Sequence, residues 1–226
     1  MMAPSSSLFE RLKAAASDEW SAYTDHAFVR GLGDGSLPQA CFRHYLAQDY
    51  LFLIHFARAY ALAVYKSRNL ADMRSAGKTM SALLDMEMGL HVRLCAGWGL
   101  SEADLEATPE ASATMAYTRY VLEEGMRGDL LDLHVALVPC VIGYWEIGKA
   151  LAAWPGALEE INPYHEWIGE YSTEAYREVA EEASARLDRL AGGNLSESRF
   201  ADLVRIFRQA TKLEVDFWQM GLDLAD

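Results

Sequence analysis

What the 226-residue chain lacks narrows its class first. Its three cysteines, Cys41, Cys95 and Cys140, lie far apart and form no Cys-x-x-Cys pair. No disulfide framework can be built from them, and reduced thiols are expected. Positive charge is scarce: 20 Lys and Arg stand against 33 Asp and Glu, a formal net charge of -13. Nucleic acid and anionic membrane surfaces both call for a basic face, so neither is an expected partner. No apolar run seems to reach the roughly 20 residues that cross a bilayer. The N-terminal MMAPSSSLFERLKAAA lacks the charged-then-apolar order of a secretory signal, which predicts a cytoplasmic protein. There is also no Pro/Ser linker, low-complexity tract or internal repeat, so a single domain over 1–226 is expected.

Strand patterning is missing too. No stretch sustains a period of two, whereas helical periodicity runs through most of the chain. The pattern predicts an all-α protein with helices near 6–23, 38–66, 69–98, 110–127, 129–152, 156–190 (broken near 169–173) and 196–223. Punctuation falls between them: GLGDGSLP at 31–38, GWGLSEADLEATPE at 97–110, WPG at 154–156 and AGGN at 191–194. Ser101, followed by acidic residues, reads as a short helix start. GLGDGSLP has glycine spacing that suggests a phosphate loop, but a dinucleotide site needs a preceding strand. A helix-to-helix connection is expected instead.

The 51% hydrophobic content can fill a substantial core, so the informative residues are polar ones on apolar helix faces. Phe42, Tyr45, Leu46, Asp49, Phe52, Leu53 and Phe56 follow helical spacing and place Asp49 inside the stripe. A buried carboxylate needs partners, supplied either by a neighbouring helix or by a ligand. Leu203, Ile206, Phe207, Ala210, Glu214, Phe217 and Trp218 do the same for Glu214. Glu87 shares a predicted face with Met80, Leu83, Leu84, His91 and Leu94. Leu133, Leu137, Cys140, Tyr144, Ile147 and Leu151 set a thiol and a phenol one turn apart, with Gly143 leaving room for something to approach.

A free cysteine on an apolar face is ordinarily core filling. Four helices that each turn one polar group inward point instead to a central pocket. A thiol needs a base, cation or donor to become a thiolate, carboxylates in a dry site can relay protons, and aromatic rings stack on flat substrates. That combination favours covalent addition chemistry on a planar ring.

GLGDGSLP, FRHYLAQDYLFLIHFARAYA, LLDMEMGLH, MAYTRYVL, ALVPCVIGYWEIG, HEWIGEYS and LEVDFWQMG resemble, in order, the motifs of the TenA (thiaminase II) family, over about residues 8–222. The Leu-x-Pro-Cys-x-x-x-Tyr element at Cys140 and the Glu-x-x-Phe-Trp element at Glu214 place the chain with the cysteine-containing class. The resemblance implies a haem-oxygenase-like helical bundle, a homotetramer, and hydrolysis of an aminopyrimidine in thiamin salvage without metal or organic cofactor. It makes Cys140 the nucleophile and Glu214 the acid/base. It makes Asp49 the acid that binds the exocyclic amine and ring nitrogen. Phe52, Tyr117, Tyr144 and Tyr171 fall where the family has aromatic walls. Glu87 and His91 are expected to be structural or supporting.

Two other readings stand beside this one. Asp49, Glu87, His91 and Glu214 could ligate a carboxylate-bridged di-metal centre, although such sites use Glu-x-x-His units and the chain has none. The pocket could also belong to a non-enzymatic binder or regulator, which would have no need of both Cys140 and Glu214.

Overall fold

The computed structural model describes residues 6–193 and 195–226. Residues 1–5 of the N-terminal segment and Asn194 of the AGGN break lie outside them. In chain order the helices are α1 (Leu8–Ala15), α2 (Ser17–Thr24), α3 (Ala27–Asp34), α4 (Gln39–Lys66), α5 (Leu70–Ala82), a π-helical turn (Leu83–Glu87), α6 (Met88–Ala96), α7 (Glu102–Glu106), α8 (Ser112–Arg127), α9 (Leu130–Ala152), α10 (His165–Tyr171), α11 (Glu174–Ala191) and α12 (Glu197–Asp223). No strand occurs among the described residues. They cluster into two compact units, each drawn from separated stretches of chain.

One unit takes the chain through Leu37 together with His134–Val215. Trp20 stacks on Phe207 with centroids 5.5 Å apart, and Phe9 meets Trp20 edge-on at 5.5 Å. Such pairs add about 0.5–1.5 kcal/mol beyond the area they bury. The expected helix over 6–23 is two helices, because Ala16 leaves the helical region (φ -126°) between α1 and α2.

α3 was not expected, because its C-terminal half is the GLGD of the predicted connection. His26 starts it, its Nδ1 accepting from the Phe28 N–H. Gly35 ends it in the left-handed region at φ 74°, where glycine carries no side-chain penalty. The carbonyls left over at its end are taken up by Asn162, whose Nδ2 donates to Leu32 at 3.0 Å and Gly33 at 3.3 Å. Residues 153–164 form turns instead of the expected first part of a helix, and the break near 172–173 separates α10 from α11.

The other unit comprises Pro38–Leu133 and Asp216–Asp226. Its long α4 packs against α5, α6, α7, α8 and the π turn, and residues 48–53 are buried on every side. Asn69 caps α5 by accepting from the Asp72 N–H at 2.9 Å. Ser101 and Asp104 form the reciprocal capping box that starts α7.

The π turn corrects the face predicted for Glu87. The Met88 N–H reaches back five residues to the Leu83 carbonyl, so the turn absorbs an extra residue and the 3.6-residue count fails across it. Leu84, expected inside, is 48% exposed, while His91 beyond the turn is wholly buried. Glu87 is half-buried.

One expectation about length also changes. Among the described residues, α9 is long and apolar enough to cross a membrane by composition. Its charges, Asp132, Glu146 and Lys149, lie near its ends and leave the middle uninterrupted. In the structure 78% of its most apolar stretch is buried inside the protein, as for a core helix.

Candidate active site

The seven residues singled out from sequence are all buried. They fall into two groups, one in each unit.

Asp49, Phe52 and Tyr117 belong to the unit built around α4. Asp49 is 3% exposed, and both of its partners bond the same oxygen. The Tyr45 hydroxyl, one turn back on α4, donates to Oδ2 at 3.0 Å, and His91 Nε2 on α6 lies 2.6 Å from that atom. The other ring nitrogen of His91, Nδ1, is 3.0 Å from the Glu87 carbonyl.

Burial opposes a charge on this ring. The hydrogen bond and the charge of Asp49, followed by the carbonyl and charge of Glu87, outweigh burial and hold the imidazole pKa above its ordinary value. His91, expected only to support, is therefore the direct partner of Asp49. Phe52 meets Tyr117 at 4.9 Å and Phe217 at 5.7 Å, giving an aromatic cluster one turn along α4 from the acid.

Gln48, the neighbour of Asp49, carries a role the sequence did not disclose. Its Oε1 accepts from the Ala111 N–H at 2.9 Å and the Thr114 hydroxyl at 2.7 Å, and its Nε2 donates to the Pro109 carbonyl at 2.9 Å. This clamp fixes the start of α8, the helix that carries Tyr117. Its signal was present: a second polar side chain in the most apolar part of α4.

Cys140, Tyr144, Tyr171 and Glu214 belong to the other unit. Cys140 is 8% exposed and Glu214 1%. Pro139 lies inside α9 immediately before the cysteine, so its own carbonyl is placed where the helix has lost an internal donor. The Tyr23 hydroxyl donates to that carbonyl at 3.4 Å. Gly143 does leave room, and the Tyr23 ring occupies it: a β-carbon at 143 would stand 2.2 Å from the ring. Tyr23, wholly buried on α2, is thus a neighbour of the Cys140 turn that the sequence pattern missed, because α2 shows too weak a stripe to single it out.

One turn beyond Cys140, Tyr144 packs edge-on to Tyr171 at 4.9 Å and against Trp167 at 5.8 Å. Gly148 lets the Tyr171 backbone come close, its carbonyl oxygen 2.6 Å from where a β-carbon would be.

The remaining thiols are unsuited to nucleophilic work. Burial pushes Cys95 up to about 11 and raises Cys41. For the di-metal reading, no group of three or more His, Cys, Asp or Glu side chains is arranged to hold a metal among the described residues.

Comparison with known proteins agrees with this architecture. A domain from Shewanella denitrificans OS217, described as having a haem-oxygenase-like fold, superimposes with a TM-score of 0.75 at 15% identity, covering 97% of this chain and 94% of that one. The fold is therefore all-α and haem-oxygenase-like. Residues 13–224 match the model of the TENA/THI-4/PQQC family, and the chain belongs to that family. An aminopyrimidine aminohydrolase from Halalkalibacterium halodurans is 40% identical over 221 residues, 97% of this chain and 96% of the relative. A crystal structure described as a TenA family transcription regulator, from Silicibacter sp. TM1040, is 46% identical with a TM-score of 0.89 over 97% of this chain and 98% of that one.

Proposed function

We propose that the protein is an aminopyrimidine aminohydrolase of thiamin salvage. Its reaction converts 4-amino-5-aminomethyl-2-methylpyrimidine and water to the hydroxymethylpyrimidine and ammonia, with thiamin as a secondary substrate. The observation that carries this is end-to-end similarity to a relative named for that activity, in a chain that holds Cys140, Glu214 and Asp49 each buried in a helix.

The thiolate of Cys140 adds to the ring carbon beside the one bearing the aminomethyl group. Aromaticity is lost, and the ring's electrons expel the amine as ammonia, protonated by Glu214. Water then adds to the exocyclic methylene, giving its proton to Glu214. The carbon–sulfur bond breaks, and the ring and the thiolate are restored. Asp49 binds the amidine-like edge of the pyrimidine and sets its register. Phe52, Tyr117, Tyr144 and Tyr171 wall the ring. No metal or organic cofactor takes part. A cytoplasmic homotetramer completes this reading, and light scattering behind size-exclusion chromatography checks the assembly.

The test is ammonia release from the aminomethyl pyrimidine, compared with thiamin cleavage, in wild type and Cys140→Ser. Product from wild type and none from the variant, with pyrimidine binding kept, is the expected result. Equal turnover by the two proteins would overturn covalent catalysis.

The similarity to a protein described as a transcription regulator favours a second reading, a pyrimidine-responsive regulator. The net charge of -13 weighs against direct contact with DNA. Pyrimidine binding without turnover in wild type would move the balance to that reading.

A further inference from the structure

His91 sits where neither of its ring nitrogens has a choice of role. Nδ1 lies 3.0 Å from the Glu87 carbonyl, an oxygen that can only accept, so Nδ1 carries a proton. Nε2 lies 2.6 Å from Asp49 Oδ2, a separation that needs a second proton between the two atoms. A neutral imidazole facing a carboxylate has one proton too few. The pair is therefore either imidazolium with carboxylate, or imidazole with carboxylic acid.

The Tyr45 hydroxyl decides between them, because it also donates to Oδ2, at 3.0 Å. An oxygen that receives two donors is best matched by the ionised carboxylate. The ionisable groups that bear on the ring, Asp49 from α4 and Glu87 from the π turn, are both acids and favour the cation. The site is dry: the His91 side chain is 0% exposed and that of Asp49 4%. The pair is thus only weakly screened, and removing either partner leaves the other with an uncompensated charge.

We propose that His91 is a positioning residue for the reaction: a buried imidazolium that clamps Oδ2 of Asp49, holds that carboxylate ionised in one orientation, and leaves Oδ1 to receive the aminopyrimidine. This deepens the role given to Asp49 above and rests on it. The adjacent cation makes the carboxylate a poorer base, so Asp49 accepts a hydrogen bond from the substrate's amine without keeping a proton from the ring. A residue two helices away in sequence would then set both the aim and the charge of the binding acid.

The first test needs no substrate. In the full-length protein labelled with 15N-histidine, His91 is expected to show both ring nitrogens protonated at neutral pH, and to become a neutral ring in Asp49→Asn. A singly protonated His91 in the wild type would place the proton on Asp49 and overturn the proposal. The second test is kinetic. His91→Gln keeps an uncharged N–H donor in the same pocket, and its melting curve reports whether it folds. In the folded variant, kcat/KM for the aminomethyl pyrimidine is expected to fall by about 10- to 100-fold, chiefly through KM. The acid limb of its pH profile should move to higher pH, because Asp49 has lost its cation. An unchanged pH profile and KM would overturn the proposal even with a doubly protonated ring. A wild type without aminopyrimidine turnover would count against the catalytic reading alone, since the labelled-histidine result does not depend on it.

Discussion

Tyr23 lies against Gly143 so closely that its ring fills the space a side chain at 143 would need, while its hydroxyl bonds the carbonyl of Pro139, the residue before Cys140. The turn that carries the candidate nucleophile is thus braced from α2. Gly143→Ala places a methyl group into a ring that is itself wholly buried. The usual gain from replacing a helical glycine is at most about 1 kcal/mol, whereas overpacking costs about 1–3 kcal/mol. We expect a net loss of stability in urea unfolding, with a fall in kcat as the turn shifts. An alanine variant as stable and active as wild type would show that the brace is unimportant.

Two other glycines make a matched pair. A β-carbon at Gly148 would meet the Tyr171 backbone at 2.6 Å, and backbone cannot rotate away; at Gly169, on α10, there is nothing within 4 Å. Gly148→Ala is expected to destabilise by about 1–3 kcal/mol and to disturb Tyr171. Gly169→Ala should stabilise by about 0.5–1 kcal/mol. Thermal melting of the two variants side by side is the check, and equal melting points would refute the contrast.

Gln48→Leu keeps the apolar surroundings of α4 but abandons the Ala111 N–H, a buried donor with no hydroxyl to rotate elsewhere. An unsatisfied buried group costs about 1–3 kcal/mol. Because the clamp sets the start of α8, KM should rise as well through Tyr117. Stability and KM measured on one preparation test both; loss of neither would show that the clamp is redundant.

Stability should depend on pH through His91. Its folded-state pKa is raised, and the unfolded value is about 6.5. The stabilisation that comes from its proton is therefore complete below the unfolded value, and it is lost as pH rises through the higher folded one. Urea unfolding from about pH 6 to pH 9 should show wild type losing more stability with rising pH than His91→Gln, which has no such proton to lose. Parallel curves would argue that the ring is not charged in the folded state.

The sequence disclosed the helices whose apolar stripes are long and unbroken. Every member of the stripes through Asp49, Glu214 and Cys140 is buried, since three or more turns of consistent spacing leave little choice of face. It disclosed less where local geometry overrides periodicity. α3 was hidden because its ends rest on a histidine cap and on Asn162, far away in sequence. The Asp49–His91 bond was hidden for a related reason: the spacing within α6 named Glu87 as the inward acid, and only the π turn explains why His91 points there instead. Tyr23 and Gln48 act through atoms contributed by other helices, which a single-helix pattern cannot show.

That π turn makes the length of the chain, as much as its chemistry, a determinant of the acid's surroundings. Removing one residue between 83 and 87 would let the segment close into an ordinary helix and swing everything after it by about 100°, the angle between neighbouring residues. The imidazole would be carried off Asp49 although every side chain of the pair remained. Insertions and deletions there should thus be tolerated far less than substitutions at the same positions.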